Sequence, residues 1–210
     1  MFNALPHKDI VTWNAMLSAY IEHGLGEKCL QLYRQMKKDR LKLDRWSYTN
    51  MFQACCIIAE KRSAVEGKST KVLYKDIVHG LHWEAWREGF LKDAIVCSML
   101  VSMYSKFMEL QEVEYLFDGL QKDDVKVWNA MLVAYNEQEK YEKALKLYRR
   151  MLEVGMPPDR LSFMTVFQSC CFLAENEEPV DIGGQWVKVS ALEITRTLHL
   201  DVKKRNLLLD

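Results

Sequence analysis

The pattern Trp-Asn-Ala-Met-Leu-x-Ala-Tyr occurs twice, at Trp13–Tyr20 and Trp128–Tyr135, with an offset of 115 residues. The match extends well beyond that core. Phe2, Leu5 and Asp9 recur as Phe117, Leu120 and Asp124. Leu32-Tyr33-Arg34 recurs as Leu147-Tyr148-Arg149, Asp44-Arg45 as Asp159-Arg160, and Cys55-Cys56 as Cys170-Cys171. A chain that repeats itself this closely must be built from stacked copies of one supersecondary unit.

Apolar residues at i, i+3, i+4 and i+7 identify that unit as helical. The template fits Trp13 to Tyr20, Tyr48 to Cys55, Cys97 to Tyr104, Trp128 to Tyr135 and Phe163 to Cys170, which are first helices. It fits Cys29 to Met36, Val113 to Leu120 and Ala144 to Met151 as second helices. Short polar or glycine-bearing turns such as His23-Gly24-Leu25-Gly26 join the pairs. Lys61 to Lys71 and Asn176 to Lys188 read as loops. No strand signal competes. One helix pair cannot bury its apolar stripe alone, but stacked pairs can, so the expected fold is all-α. It is a right-handed superhelical solenoid of antiparallel helix pairs, like that of tetratricopeptide repeats. Trp13 and Trp128 belong to its core.

An aspartate precedes every first helix: Asp9, Asp44, Asp93, Asp124 and Asp159. Asp210 falls in the same place. The units are therefore 10–44, 45–93, 94–124, 125–159 and 160–210, with 1–9 the tail of a preceding unit. Aspartate is a preferred N-cap, stabilising a helix by roughly 0.5–2 kcal/mol. Capping alone is a sufficient reason for these residues.

Composition narrows the function. The 210 residues carry 49% hydrophobic side chains and no formal net charge. Strong nonspecific nucleic-acid binders rely on a basic surface, so nucleic-acid contact here must rest on placed side chains. No apolar run approaches a membrane span, so no membrane partner is expected. The six cysteines form no C-x-x-C and read as small apolar core residues without zinc. His79 and His82 lack a third ligand and read as packed or exposed side chains. No zinc-deaminase signature occurs. The chain reads as a non-enzyme without cofactors.

The chain resembles the pentatricopeptide repeat family, plant PLS subclass. The resemblance is carried by Asp9-Ile10-Val11-Thr12-Trp13-Asn14-Ala15-Met16 and its copy Asp124–Met131, by Met99–Tyr104 in the short unit, and by Ser190–Ile194. The units then read P (10–44), expanded L (45–93), S (94–124), P (125–159) and expanded L (160–210), with 1–9 the end of an S unit. The resemblance implies sequence-specific binding of single-stranded organellar RNA, one base per repeat. In that family the fifth and last residues of a repeat read the base and the second flanks it.

Carried over, the first P unit uses Asn14 and Asp44 with Val11, and the second uses Asn129 and Asp159 with Lys126. Both would favour uracil. The S unit uses Ser98 and Asp124 with Ile95, which suggests guanine. The L units offer weaker sets: Thr49, Asp93 and Trp46, then Met164, Asp210 and Leu161. The fifth residue lies one position past the start of the core stripe, about 100° around the helix and off the buried face. The resemblance also implies a mitochondrial or chloroplast location and a role in RNA processing. That role includes C-to-U editing with a deaminase or other factor recruited in trans. No DNA partner is expected. A protein-binding scaffold of tetratricopeptide type is the alternative, since Trp13, Tyr20, Cys29 and Tyr33 sit near that motif's spacing. A non-functional member of the RNA-binding family is a third reading.

Overall fold

The computed structural model describes residues 9–63, 69–176, 178, 180–182, 185–187, 196, 200 and 203. The expected tail at 1–8, the 190–194 segment and Asp210 lie outside them. The chain divides into two compact units, Met1–Gln121 and Lys122–Asp210.

In the first unit α1 (Ile10–Glu22) and α2 (Gly26–Lys38) form the first pair, and α3 (Arg45–Ser63) and α4 (Ser69–Arg87) the second. A 3-10 turn at Phe90–Lys92 leads to α5 (Ala94–Phe107) and α6 (Leu110–Gly119). First helices pack in series, α1 on α3 and α3 on α5, with the second helices flanking them. In the second unit α7 (Val125–Glu137) pairs with α8 (Tyr141–Glu153), and both pack on α9 (Arg160–Asn176). The five expected first helices and three expected second helices are all present. Among the described residues, no helix is long and apolar enough to cross a membrane.

The periodic positions form the core. Trp13, Leu17, Tyr48, Phe52, Leu100 and Met103 are buried in the first unit, and Trp128, Met131, Leu132 and Met151 in the second. Full burial of one such side chain contributes about 1.5–3 kcal/mol. The Trp128 indole also satisfies its polar handle, donating from Nε1 to the Lys122 carbonyl at 3.0 Å. Cys29, Cys55, Cys97 and Cys170 are buried as expected, and burial pushes the Cys55 thiol up to about 12. Cys56 is half-buried and Cys171 exposed, so the second cysteine of each adjacent pair is not a core residue.

The expected loops need correction. Lys61–Ser63 end α3 and Ser69–Lys71 begin α4, so the first long unit spends its extra residues on longer helices. α3 and α4 have 19 residues each, against 13 in α1 and α2. Tyr74, Val78, Leu81 and Ala85 give α4 its buried stripe at helical spacing. Within the second expected loop, β1 (Val180–Ile182) and β2 (Gln185–Val187) pair antiparallel, with Asp181 opposite Trp186. This hairpin departs from a purely helical reading. Alternation of Val180 and Ile182 with Asp181 is its period-two signal.

Helix ends are locally encoded. After α1, Gly24 is left-handed, with Gly24 N bonded to Ile21 O and Leu25 N to Tyr20 O. That is a Schellman closure. The same closure ends α2 at Arg40, α7 at Glu139 and α8 at Gly155, all with positive φ.

Candidate nucleic-acid interface

All five aspartates accept from a backbone amide in the first turn of their helix. Asp9 takes Thr12 N at 2.8 Å, Asp93 takes Ile95 N at 2.9 Å, and Asp124 takes Lys126 N at 2.8 Å. Asp44 takes Ser47 N and Asp159 takes Ser162 N, each at 2.9 Å. The capping role is therefore present at every junction.

Two of these carboxylates do more. Asn14 Nδ2 donates to Asp44 Oδ1 at 2.9 Å and to Oδ2 at 3.1 Å. Asn129 Nδ2 donates to Asp159 Oδ1 at 2.9 Å. Each bond joins the first helix of one repeat to the N-cap of the next. A serine closes the cluster on the other side of the amide. Ser47 Oγ lies 2.9 Å from Asn14 Oδ1 and 2.9 Å from Asp44 Oδ1. Ser162 Oγ lies 2.6 Å from Asn129 Oδ1 and 3.0 Å from Asp159 Oδ1. The identical triangle forms in both compact units. Burial raises the Asp159 carboxyl, but hydrogen bonds from Ser162 N, Asn129 and the Ser162 hydroxyl outweigh it, and the net shift is downward.

The fifth-position residues do not form one uniform exposed set. Asn14 and Ser98 are half-buried, whereas Asn129 is 3% exposed and Thr49 7% exposed. At Asn129 the N-cap Asp159 of the neighbouring repeat covers that side of the helix, a consequence of stacking. Thr49 turns its hydroxyl to Trp46 O at 3.1 Å, and Ser98 turns to Ile95 O at 2.9 Å. Met164 is 61% exposed.

The second-position residues are more open. Val11, Trp46 and Leu161 are exposed apolar side chains, Lys126 is exposed, and Ile95 is half-buried. The Arg45 guanidinium lies 4.8 Å from the Trp46 ring centroid and 3.3 Å from Asp93 Oδ2. Lys126 Nζ lies 3.6 Å from Asp124 Oδ2. Aromatic and aliphatic faces of this kind are surfaces on which a base can stack.

Away from this face, His79 and His82 flank Tyr104. His82 Nδ1 is 2.7 Å and His79 Nδ1 is 3.3 Å from the Tyr104 hydroxyl. Burial, with His79 beside it, pushes the His82 imidazole down. No group of three metal-ligating His, Cys, Asp or Glu side chains forms among the described residues.

Residues 8–57 and 123–171 match the PPR repeat family. The chain is similar to pentatricopeptide repeats over those two stretches. It is similar to a chloroplastic pentatricopeptide repeat-containing protein of Arabidopsis thaliana, 28% identical over 90% of this chain and 20% of the relative. A mitochondrial one from the same plant is 26% identical over 100% of this chain and 21% of the relative. The chain thus spans about a fifth of these relatives' length. Among solved structures it is similar to the pentatricopeptide repeat protein PPR10 in complex with an 18-nt psaJ RNA element. That likeness has a TM-score of 0.61 and 17% identity, covering 80% of this chain and 23% of that one. It identifies the fold as a helical-repeat solenoid.

Both triangles lie wholly inside the matched pentatricopeptide repeat stretches: Asn14, Asp44 and Ser47 in the first, Asn129, Asp159 and Ser162 in the second. The two serines are the members that sequence reasoning passed over. Their signal is the repeated Asp-x-x-Ser at Asp44–Ser47 and Asp159–Ser162.

Proposed function

We propose that this chain binds single-stranded RNA through the first helices of its repeats, one base per repeat. The observation that carries the reading is the Asn–Asp bond between consecutive repeats, present twice at 2.9 Å. Asn offers a second Nδ2 hydrogen to a carbonyl oxygen, and the ionised Asp offers an acceptor to an N–H. Uracil carries a carbonyl beside its N3–H, so the pair suits uracil at Asn14/Asp44 and at Asn129/Asp159. Val11 and Lys126 flank those bases. Ser98, flanked by Ile95, is assigned to guanine.

The L units contribute less to base choice. Thr49, with Asp93 and Trp46, is directed to its own helix, and Met164 cannot accept or donate well at a base edge. Its companions in that unit are Leu161 and Asp210. The repeat order follows the PLS pattern, P, L, S, P, L. The RNA-bound state of PPR10 and the chloroplastic and mitochondrial names of the plant relatives support an organellar RNA partner. In that setting the chain supplies specificity for RNA processing or C-to-U editing, and the chemistry comes from a factor recruited in trans. A scaffold for peptide carboxylates is disfavoured by the carboxylates at every repeat junction, Asp44, Asp93, Asp124 and Asp159.

Stacking contributes about 1–3 kcal/mol per base, and few readers are available here to offset the cost of association. The expected dissociation constant of the 210-residue chain is on the order of micromolar or weaker. The test is enrichment from a randomised short RNA pool by the wild-type chain and by Asp159→Asn. Asparagine caps about as well as aspartate, so folding is retained. A change from uracil to cytosine at one position supports base reading, and the absence of any base enrichment by the folded wild type overturns it.

A further inference from the structure

We infer that Ser47 and Ser162, the third residues of the repeats following each Asn, are positioning residues that set base choice by fixing the asparagine amide. The inference rests on the base-reading function proposed above.

An asparagine amide is a planar group with a donor end and an acceptor end. Its value as a reader depends on which end faces the base and on how firmly the plane is held. In both clusters the aspartate carboxylate, which only accepts, takes the donor end at 2.9 Å. The serine hydroxyl occupies the acceptor end, at 2.9 Å for Asn14 Oδ1 and 2.6 Å for Asn129 Oδ1. The single hydroxyl proton is shared with the same Asp oxygen that caps the helix. With one of the two Oδ1 lone pairs taken, the balance of the amide shifts toward its donor, the second Nδ2 hydrogen. That balance favours uracil, whose carbonyl accepts, over cytosine, whose exocyclic amine donates.

The chain contains its own comparison. The Thr49 and Ser98 repeats are followed by repeats with valine at the third position, Val96 and Val127. Neither valine can bond a reader. There the fifth residue is a hydroxyl, and it bonds a carbonyl of its own helix. Asparagine at the fifth position occurs with serine at the next repeat's third, and a hydroxyl occurs with valine. The serine is also well held. Its backbone N–H is committed to the aspartate, and both serines are buried. A buried side chain with three partners orders the amide without a fresh entropic cost when RNA arrives.

The experiment incubates the 210-residue chain at high micromolar concentration with a randomised eight-nucleotide RNA pool and sequences the bound fraction. Wild type, Ser162→Ala, Ser162→Thr, Ser47→Ala and Asp159→Asn are compared, with circular-dichroism melts confirming that each is folded. Ser162→Ala is expected to lower the uracil-to-cytosine enrichment ratio about five-fold at the Asn129 position, the equivalent of one hydrogen bond. The ratio at the Asn14 position stays, and Ser162→Thr restores the lost preference. Ser47→Ala gives the mirror result, so the second cluster decides if Ser162→Ala does not fold. An unchanged ratio in folded Ser162→Ala or Ser47→Ala, alongside an Asp159→Asn shift to cytosine, overturns the positioning role alone. No base preference in the wild type and no shift in Asp159→Asn overturns base reading and the positioning role together.

Discussion

Asn14 and Asp44 are thirty residues apart in sequence and hydrogen-bonded at 2.9 and 3.1 Å, so the helix of one repeat is tied to the cap of the next. Asn129 and Asp159 repeat the tie. The bond gives the fifth-position asparagine a structural role that exists before any ligand arrives.

That role has a measurable cost on removal. Asn129→Ala deletes a buried amide, leaves the Ser162 hydroxyl with Asp159 alone and removes one hydrogen bond to Asp159. The expected loss is about 1–3 kcal/mol in urea unfolding. Asn14 is half-buried, so water replaces its bonds more readily and Asn14→Ala costs less. Equal losses at the two sites would contradict the burial argument.

Acid should destabilise the protein in two separate windows. The His82 imidazole is held below its usual value, so the unfolded chain takes up a proton near pH 6.5 before the folded one does. Stability is full above that value and falls as pH drops toward the folded one. Asp159 is also held below its usual range, so a further loss begins below about pH 4. His82→Gln should flatten the first window, and Asp159→Asn should shrink the second, to which Asp93 and Asp9, also held below their usual range, contribute as well. Urea unfolding midpoints taken from pH 7 to pH 3 check both.

Backbone strain is placed differently in the two sequence copies, 10–44 and 125–159. The left-handed positions are Gly24 and Arg40 in the first and Glu139 and Gly155 in the second, related by the 115-residue offset. A residue with a Cβ is disfavoured there, while glycine costs more entropy in the unfolded chain. Arg40→Gly and Glu139→Gly should each stabilise by about 0.5–1 kcal/mol, and Gly24→Glu should reverse the sign. Thermal melts would read shifts of about 1–4 °C.

Gly26 provides a test of close packing. Alanine normally stabilises a helix relative to glycine by about 1 kcal/mol. A Cβ at Gly26 would meet the Ala54 carbonyl oxygen at 2.6 Å and Ile58 Cγ1 at 2.8 Å. Backbone oxygen cannot turn aside, so Gly26→Ala should destabilise by about 1–3 kcal/mol. Gly119 has nothing within 4 Å of its Cβ position, and Gly119→Ala should instead stabilise. The second sequence copy, 125–159, carries Tyr141 at the position of Gly26, and its ring stacks on Phe172 at 4.9 Å.

The helical framework was legible because burial and sequence period coincide. Trp13, Leu17, Trp128 and Leu132 sit on the stripe and in the core. The extended α4 was less legible because Tyr74, Val78, Leu81 and Ala85 are interleaved with Trp83 and Trp86, two exposed aromatics that blur the stripe. The β1–β2 hairpin is too short for its alternation to stand out. At the interface, the caps were readable from aspartate before each helix. Family resemblance paired Asn14 with Asp44 and Asn129 with Asp159 as base readers only; their mutual hydrogen bonds were not expected, since contacts thirty residues apart leave no local pattern. The depth of Asn129 and Thr49 was unreadable because the next repeat covers them, and one helix's period carries no information about its neighbour.

Each Asn–Asp–Ser cluster straddles a seam between repeats, which affects how such arrays can be rearranged. A transplanted segment spanning residues 10–44 would carry Asn14 and Asp44 and leave Ser47 behind. A segment running on through residue 47 moves the whole cluster intact. The interchangeable cassette of this array is therefore offset from its helix pairs. Its natural cut lies three residues into the following helix, between Ser47 and Tyr48 or between Ser162 and Phe163.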